Sequence, residues 1–482
     1  MAILTGLQPS GVFEMFEQLC GIPHGSRNTK AISDFCVRFA QEHGLNYRQD
    51  DSNNVILFAP ATPGMEQAQP VMLQGHLDMV CEKEADCPLD LQKEGLNLRT
   101  DGEWIWAEGT TLGGDDGIAV AYALAILADP TIPHPPLEVV LTTDEEIGML
   151  GAAAIDLSEV KARRVLNIDS EEEGVLLAGC AGGATVCCHI PLMWTLKKGL
   201  RATVQITGLR GGHSGMEIQK GRANANKLMG RFLNEMDEIF AYALCTVNGG
   251  NKDNAIARES TADVVILPER LAELTAFAAQ RQEAYRAEYG EADPDITIAV
   301  TPGTEDTFEI MMGDCRRSVL SVLQQLPNGV QQMSRDIEGL VQTSLNLGIL
   351  KVDFRGIHLT SSVRSSVNAE KQQLIRQLAE ICGKLGGSCE VMGEYPAWEY
   401  KADSPLREIM TEVYLEQYGR KPAVEVIHAG LECGLLSGKL DGLDCVSFGP
   451  DIVDIHTTRE KLSIPSVQRT WKLLLEVLKR CD

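Results

Sequence analysis

Two histidines and a group of carboxylates stand in this chain at places where they can meet. His76-Leu77-Asp78 follows Gln74-Gly75, and Asp115-Asp116 lies between Gly113-Gly114 and Gly117. Glu145-Glu146 follows Thr143-Asp144, Asp169 opens Asp169-Ser170, and His456 comes near the C-terminus. Carboxylates a few ångströms apart raise one another's pKa values unless cations neutralise them. Imidazole and carboxylate donors without thiolate suit zinc, or manganese or cobalt, and two ions sharing one bridging carboxylate need about five ligands. His76, Asp115, Glu146, Asp169 and His456 supply that number. In the Glu145-Glu146 doublet one side chain can bind metal while its neighbour is aimed at a water as base. His76 needs an acceptor to fix its tautomer, and Asp78, two residues on in an extended segment, is on the same side. Taken singly, H-x-D, E-E and D-D before a helix are surface or capping patterns. Their common placement after strands argues for one site.

The elements that must carry these residues alternate in the first third of the chain. Strands are predicted at Asn54 to Phe58, Val71 to Gln74, Leu137 to Thr142 and Val165 to Ile168, with a buried helix at Gly117 to Ala128. Another strand, Cys445 to Phe448, and an amphipathic helix, Ser466 to Lys479, close the chain. Such alternation gives an α/β sheet whose strand ends share one edge, where distant loops meet. Between these parts the pattern becomes α+β. It has strands at Ala202 to Thr207, Ala262 to Ile266, Val341 to Leu347, Lys351 to Ser362 and Ser388 to Val391. Helices are predicted there at Asn224 to Met236, Pro268 to Tyr289 and Glu370 to Leu385, in what reads as two related α+β units. The expected fold is α/β: a discontinuous catalytic domain, residues 1–185 and 397–482, with an inserted α+β lid domain, residues 186–396.

The composition narrows the partners. With 43 basic against 68 acidic residues the formal charge is −25, and 44% of residues are hydrophobic. The chain can bury a large core, and its charge repels nucleic acid and anionic membranes. The longest apolar stretch, Ile118 to Ala128, is too short to span a bilayer, and the N-terminus lacks the basic and apolar regions of a signal peptide. The expected setting is the cytoplasm. Fourteen cysteines lie without C-x-x-C or framework spacing, so most are expected to be buried thiols. The adjacent Cys187 and Cys188 point to opposite faces of a strand and read as structural.

In this order, His76-Leu77-Asp78, Gly113-Gly114-Asp115-Asp116-Gly117, Glu145-Glu146, Asp169 and His456 resemble the zinc aminopeptidase, aminoacylase and carboxypeptidase superfamily. Asn167-Ile168-Asp169-Ser170-Glu171-Glu172-Glu173-Gly174, Gly211-Gly212-His213-Ser214-Gly215, Asn254-Ala255-Ile256-Ala257-Arg258 and His428-Ala429-Gly430-Leu431-Glu432-Cys433-Gly434 narrow the match. They are similar to its aminoacyl-histidine, or cytosol non-specific, dipeptidase branch over essentially the whole chain. The resemblance implies that Asp115 bridges two divalent ions, with Glu146 and His456 completing one site and His76 and Asp169 the other. Glu145 would be the general base, Asp78 the orienting carboxylate, and His213 would reach from the lid to stabilise the oxyanion. Relatives usually keep a proline where this chain has Ala257, and another within the stretch Thr457-Thr458-Arg459-Glu460. Neither departure removes a proposed ligand.

The implied reaction is hydrolysis of unblocked dipeptides, Xaa-His or broad in scope, by a zinc-bridging water that Glu145 activates. Asn254, Arg258, Arg364, His428 and Glu432 are candidates for holding the two termini of a small peptide substrate, Glu432 for its ammonium. An aminoacylase or deacetylase with the same metal centre is an alternative, and a silent metal-binding scaffold a weaker one, because a scaffold has no use for Glu145. The resemblance also admits a homodimer. His24, His43, His134, His189 and His358 lack partner patterns and read as structural or surface residues.

Overall fold

The computed structural model describes residues 3–481, which form two units. The first takes the chain up to Cys180, Tyr400–Val426, and Leu431 onward. The second is Ala181–Glu399 with Ile427–Gly430, a short return that the sequence reading placed in the second catalytic segment.

The first unit is built on an eight-stranded sheet. Its order is Asn46–Gln49, Val55–Ala59, Leu137–Thr142, Val71–His76, Arg164–Asn167, Asp444–Ser447, Val175–Cys180 and Ala423–Ile427. Val71–His76 runs parallel to both Leu137–Thr142 and Arg164–Asn167, and Asp444–Ser447 extends the parallel block. The chain leaves Val71–His76 for a neighbour on one side and later returns to its other side, so this strand is the switch point where open α/β sheets place their sites. Every residue of Val71–His76 and of Leu137–Thr142 is buried, as parallel strands covered on both faces require. The cover on one side is Gly114–Ala128, apolar all round as a fully buried helix must be. Its first residues, Asp115 and Asp116, have non-helical backbone angles, so the regular helix starts at Gly117. The helix Ile464–Arg480 starts on Ser463, whose Oγ accepts from the Ser466 N–H, and Tyr122 Oη donates to its Val467 carbonyl.

A smaller four-stranded sheet of Leu98–Thr100, Trp104–Ala107, Ile452–Val453 and Lys461–Ser463 holds the His456 loop. Sequence reading had no strands there, because two to four residues show no periodicity.

The second unit is one nine-stranded antiparallel sheet with four main helices, Ala225–Asp237, Leu271–Tyr289, Gly313–Gln325 and Asn368–Lys384. The two expected α+β halves share this sheet, joined where Gly249 pairs with Leu350. The expected strand Lys351 to Ser362 straddles a hairpin: Val341–Asp353 turns at Phe354-Arg355 into Gly356–Ser365. A run of apolar and β-branched residues on both sides hid that turn. Most cysteines are buried free thiols, as expected, while Cys188 and Cys389 stand opposite each other on paired strands and form a disulfide. Cys187 faces the other way, toward Thr360.

Gly75 shows how tightly the C-terminal edge of the parallel strands is packed. A Cβ there would stand 2.5 Å from Asp116 Oδ2 and 2.6 Å from Ala119 Cβ. Gly75→Ala should therefore cost about 1–3 kcal/mol by overpacking. Urea unfolding measures it, and an unchanged midpoint would show that the edge gives way freely.

Candidate active site

The parallel strands deliver their C-terminal loops to one edge of the first unit. His76 ends its strand, Glu145 and Glu146 follow Thr142, and Asp169 follows Asn167. Asp115 comes from the entry to the buried helix, and His456 from the small sheet's loop at φ +60°, the left-handed region that non-glycine residues seldom adopt.

Asp115 is central. Its Oδ1 lies 3.1 Å from His76 Nε2, and its Oδ2 lies 3.1 Å from His456 Nε2. Asp169 Oδ1 is 3.8 Å from His76 Nε2, and Glu146 Oε1 is 3.0 Å from His456 Nε2. Two half-sites result: Asp115, Glu146 and His456 in one, and His76 with Asp169 in the other, where Asp116 stands with them and Asp115 faces the His76 ring. Zinc bonds of 2.0–2.1 Å in tetrahedral array put ligand atoms about 3.3 Å apart, close to these separations. Glu146 Oε1 is buried and receives no hydrogen bond, although His456 is beside it. An oxygen left without a donor in a buried acidic cluster fits a cation as its missing partner. The residues present therefore fit a pair of divalent ions. Asp116 and Glu171 also bring carboxylate oxygens into the group.

Asp78 is buried beneath the site. His76 Nδ1 lies 2.9 Å from the Asp78 backbone carbonyl, which sets the tautomer and leaves Nε2 free to ligate, while the carboxylate is 3.6 Å away. That carboxylate accepts from Ser26 Oγ and from the Glu145 and Glu146 N–H groups. It thus fixes the loop that carries Glu145 and Glu146. Ser26 gives no signal in sequence, lying 52 residues before its partner. Glu432, fully buried, accepts from Gln74 Nε2 and Thr142 Oγ1 and keeps Oε1 without a partner.

Electrostatics follow from burial and crowding. Despite burial, the His456 and His76 imidazoles hold Asp115 well below the usual carboxylate range. Burial pushes Glu145 well up, with Asp169, Glu432 and Glu146 adding repulsion against the pull of His76. Burial likewise raises Asp169 and Glu432 to about 7 and Glu171 to about 8. Asp115 and Glu146 raise His456 to about 10.

The remaining candidates belong to the second unit. His213 Nδ1 accepts from the Gly215 and Met216 N–H groups, so its neutral ring carries the proton on Nε2 and presents it as a donor. Burial, then Arg364, lowers its pKa and keeps the ring neutral. Asn254 is exposed beside it, since Ala255 pairs with His213. Arg364 donates to Tyr395 Oη and keeps a buried Nε without a partner. His428 Nε2 lies 2.7 Å from Ser344 Oγ, its Nδ1 has no partner, and burial followed by Arg364 lowers it to about 4. Ser344 pairs directly with Arg364, so these groups share one face of the sheet. Arg258 departs from them: it lines a separate cavity of about 540 Å³ with Arg210 and Lys252.

The raised carboxylates give a pH-dependent prediction for the metal-free protein. Asp169, Glu432 and Glu171 stand above their ordinary values of 3.8 and 4.5. Each contributes stability that is complete below those values and is lost as pH rises through about 7 to 8. Chelation should lower the Tm, and the drop should widen from pH 6 to pH 8, because bound cations remove the repulsion. A Tm that chelator leaves unchanged at both pH values would contradict the fit.

Comparison with known proteins bears on this edge and on the whole chain. Residues 72–480 match the profile of peptidase family M20/M25/M40. The chain is 37% identical over 482 residues to a cytosol non-specific dipeptidase of Escherichia coli (strain K12), covering 99% of each. It is also similar to the crystal structure of an aminoacylhistidine dipeptidase from Vibrio alginolyticus, with TM-score 0.93, 36% identity, and 99% and 98% of the two chains covered. An aminopeptidase from Bacillus cereus shares the fold at TM-score 0.56 and 15% identity. Five ligand-type residues at one strand edge, and a family match that spans them, lead to one conclusion: the chain belongs to peptidase family M20/M25/M40 and is a hydrolase of peptide bonds.

Proposed function

We propose that the chain hydrolyses unblocked dipeptides at a centre of two divalent ions, zinc in the first instance, with manganese or cobalt as substitutes. The observation that carries this reading is the Asp115 carboxylate, one oxygen facing each ligand imidazole at 3.1 Å. Full-length similarity to two dipeptidases supports the substrate class. Bound ions would polarise the scissile carbonyl and make a water acidic enough to lose its proton near neutral pH.

The chain's own residues do the rest. Glu145 takes the proton from the attacking water and returns it to the leaving amine, as a carboxylate at the end of the Thr142 strand beside the ligand Glu146 can do. Asp78 keeps Glu145 in place through its backbone N–H. Glu432 receives the substrate ammonium on its free Oε1. His213 offers its Nε2 proton to the oxyanion, and the inserted unit acts as the lid. Arg364 and His428, with Asn254, recognise the substrate carboxylate; Arg258, facing its own cavity, contributes less directly. A binding site for both charged ends favours a free dipeptide over a blocked one, and cytoplasmic peptide turnover is the setting this implies.

Glu145→Gln should keep the metal content and lose about 10²–10⁴ in kcat. Metal analysis alongside a dipeptide assay checks both, and full turnover in the variant would remove Glu145 from the role of base. A free-amine dipeptide should be cleaved at least tenfold faster than its N-acetyl counterpart, by roughly 1.4 kcal/mol of lost charge recognition. The reverse preference would point to the aminoacylase reading.

A further inference from the structure

Glu460 is a buried carboxylate with no part in the ligand set, yet it is tied to the loop that carries Asp115. Its Oε2 accepts from the Leu112 and Gly113 N–H groups at 2.8 and 3.1 Å, and its Oε1 from Gly114 and Asp115 at 2.8 and 3.4 Å. Four successive backbone donors converge on one side chain, an arrangement that only an anion with two acceptor oxygens satisfies. The local sequence permits it. Gly113 takes φ +68°, and a Cβ on Gly114 would come within 3.3 Å of Glu460 Oε1. Glu460 is itself rooted, because its N–H donates to Thr457 and the next residues, Lys461–Ser463, pair with Ile452–Val453 and Trp104-Ile105. His456 precedes it by one short turn of the same loop.

We propose that Glu460 is a positioning residue. By holding the 112–115 backbone against the His456 loop, it sets how the two Asp115 oxygens are shared between the half-sites, and so governs metal affinity and turnover without touching substrate. The inference rests on the ligand set proposed above. Groups hydrogen-bonded to a ligating side chain change metal affinity by about 10–100-fold when removed, and Glu460 acts one step further back, through the backbone of the Asp115 loop. The pairing spans 345 residues, which is why the sequence did not disclose it.

Glu460→Gln replaces one acceptor oxygen by an NH₂ that cannot receive two of the four N–H groups. Cobalt(II) titration of the metal-free protein, followed by visible absorption and by competition with a chelator, reads the site directly. The expected result is cobalt affinity weakened at least about tenfold, an altered visible spectrum, and a lower kcat at saturating metal with KM within about twofold. Glu460→Asp keeps both oxygens but is too short to span both pairs of donors, so it should fall between wild type and Glu460→Gln. A folded Glu460→Gln with wild-type affinity and spectrum would overturn the proposal, even if its metal-free Tm were lower, because a loop anchor alone predicts that pattern. If Glu460→Gln does not fold, Glu460→Asp decides: weakened cobalt binding supports the proposal and wild-type binding overturns it. Wild-type protein that takes up no cobalt would instead overturn the ligand set on which the proposal depends.

Discussion

Repulsion among buried carboxylates organises the catalytic unit. Asp115 and Asp169 are buried within reach of Glu146, Glu171 and two imidazoles, and Glu432 lies below them. Two histidines cannot neutralise this many acids at neutral pH, and burial makes each unpaired charge more costly. The surrounding architecture consists largely of restraints on that group. Parallel strands bring three loops to one edge, Asp78 and Ser26 pin the Glu145-Glu146 loop, and Glu460 pins the loop of Asp115. Such restraints cost chain entropy, and cation binding offsets the electrostatic part of the cost.

The same constraint separates two carboxylates that are adjacent in sequence. Asp115 turns both oxygens to imidazoles and is held ionised, whereas Asp116 is buried, accepts the His76 N–H, and is pushed well above the usual range by burial and by Asp169. Glu145 and Glu146 divide in the same manner. Glu146 lies beside His456, while the Glu145 carboxyl is pushed well up by burial. Neighbouring residues of one chemical type thus take different roles from their surroundings alone.

Much of this was legible in the sequence because the signals are local. Strand Leu137–Thr142 appears where the apolar run ends at Thr143-Asp144, and the helix after Asp115-Asp116 is set by an apolar run flanked by glycines. Residues after strand ends can be proposed to meet, since sheet topology limits where loops emerge. What escaped depends on pairings across long separations. Cys188 and Cys389 lie 201 residues apart, and their opposition depends on strand register that neither segment encodes. The Lys351 to Ser362 region reads as one strand because the central turn residues, Phe354-Arg355, fit a strand, although Asp353 and Gly356 at the ends of that turn carry the signal of a hairpin. For Asp78 the pattern located the contact to His76 but not the atom, which is the backbone carbonyl.

The proposed dinuclear site requires Asp115 to hold two cations at once. Anomalous diffraction at the zinc absorption edge, from crystals of the zinc-loaded protein, tests it most directly. Two anomalous peaks are expected, both in contact with Asp115, one also with His76 and Asp169 and the other with His456 and Glu146. A single peak, or two peaks of which one has no contact with Asp115, would contradict it.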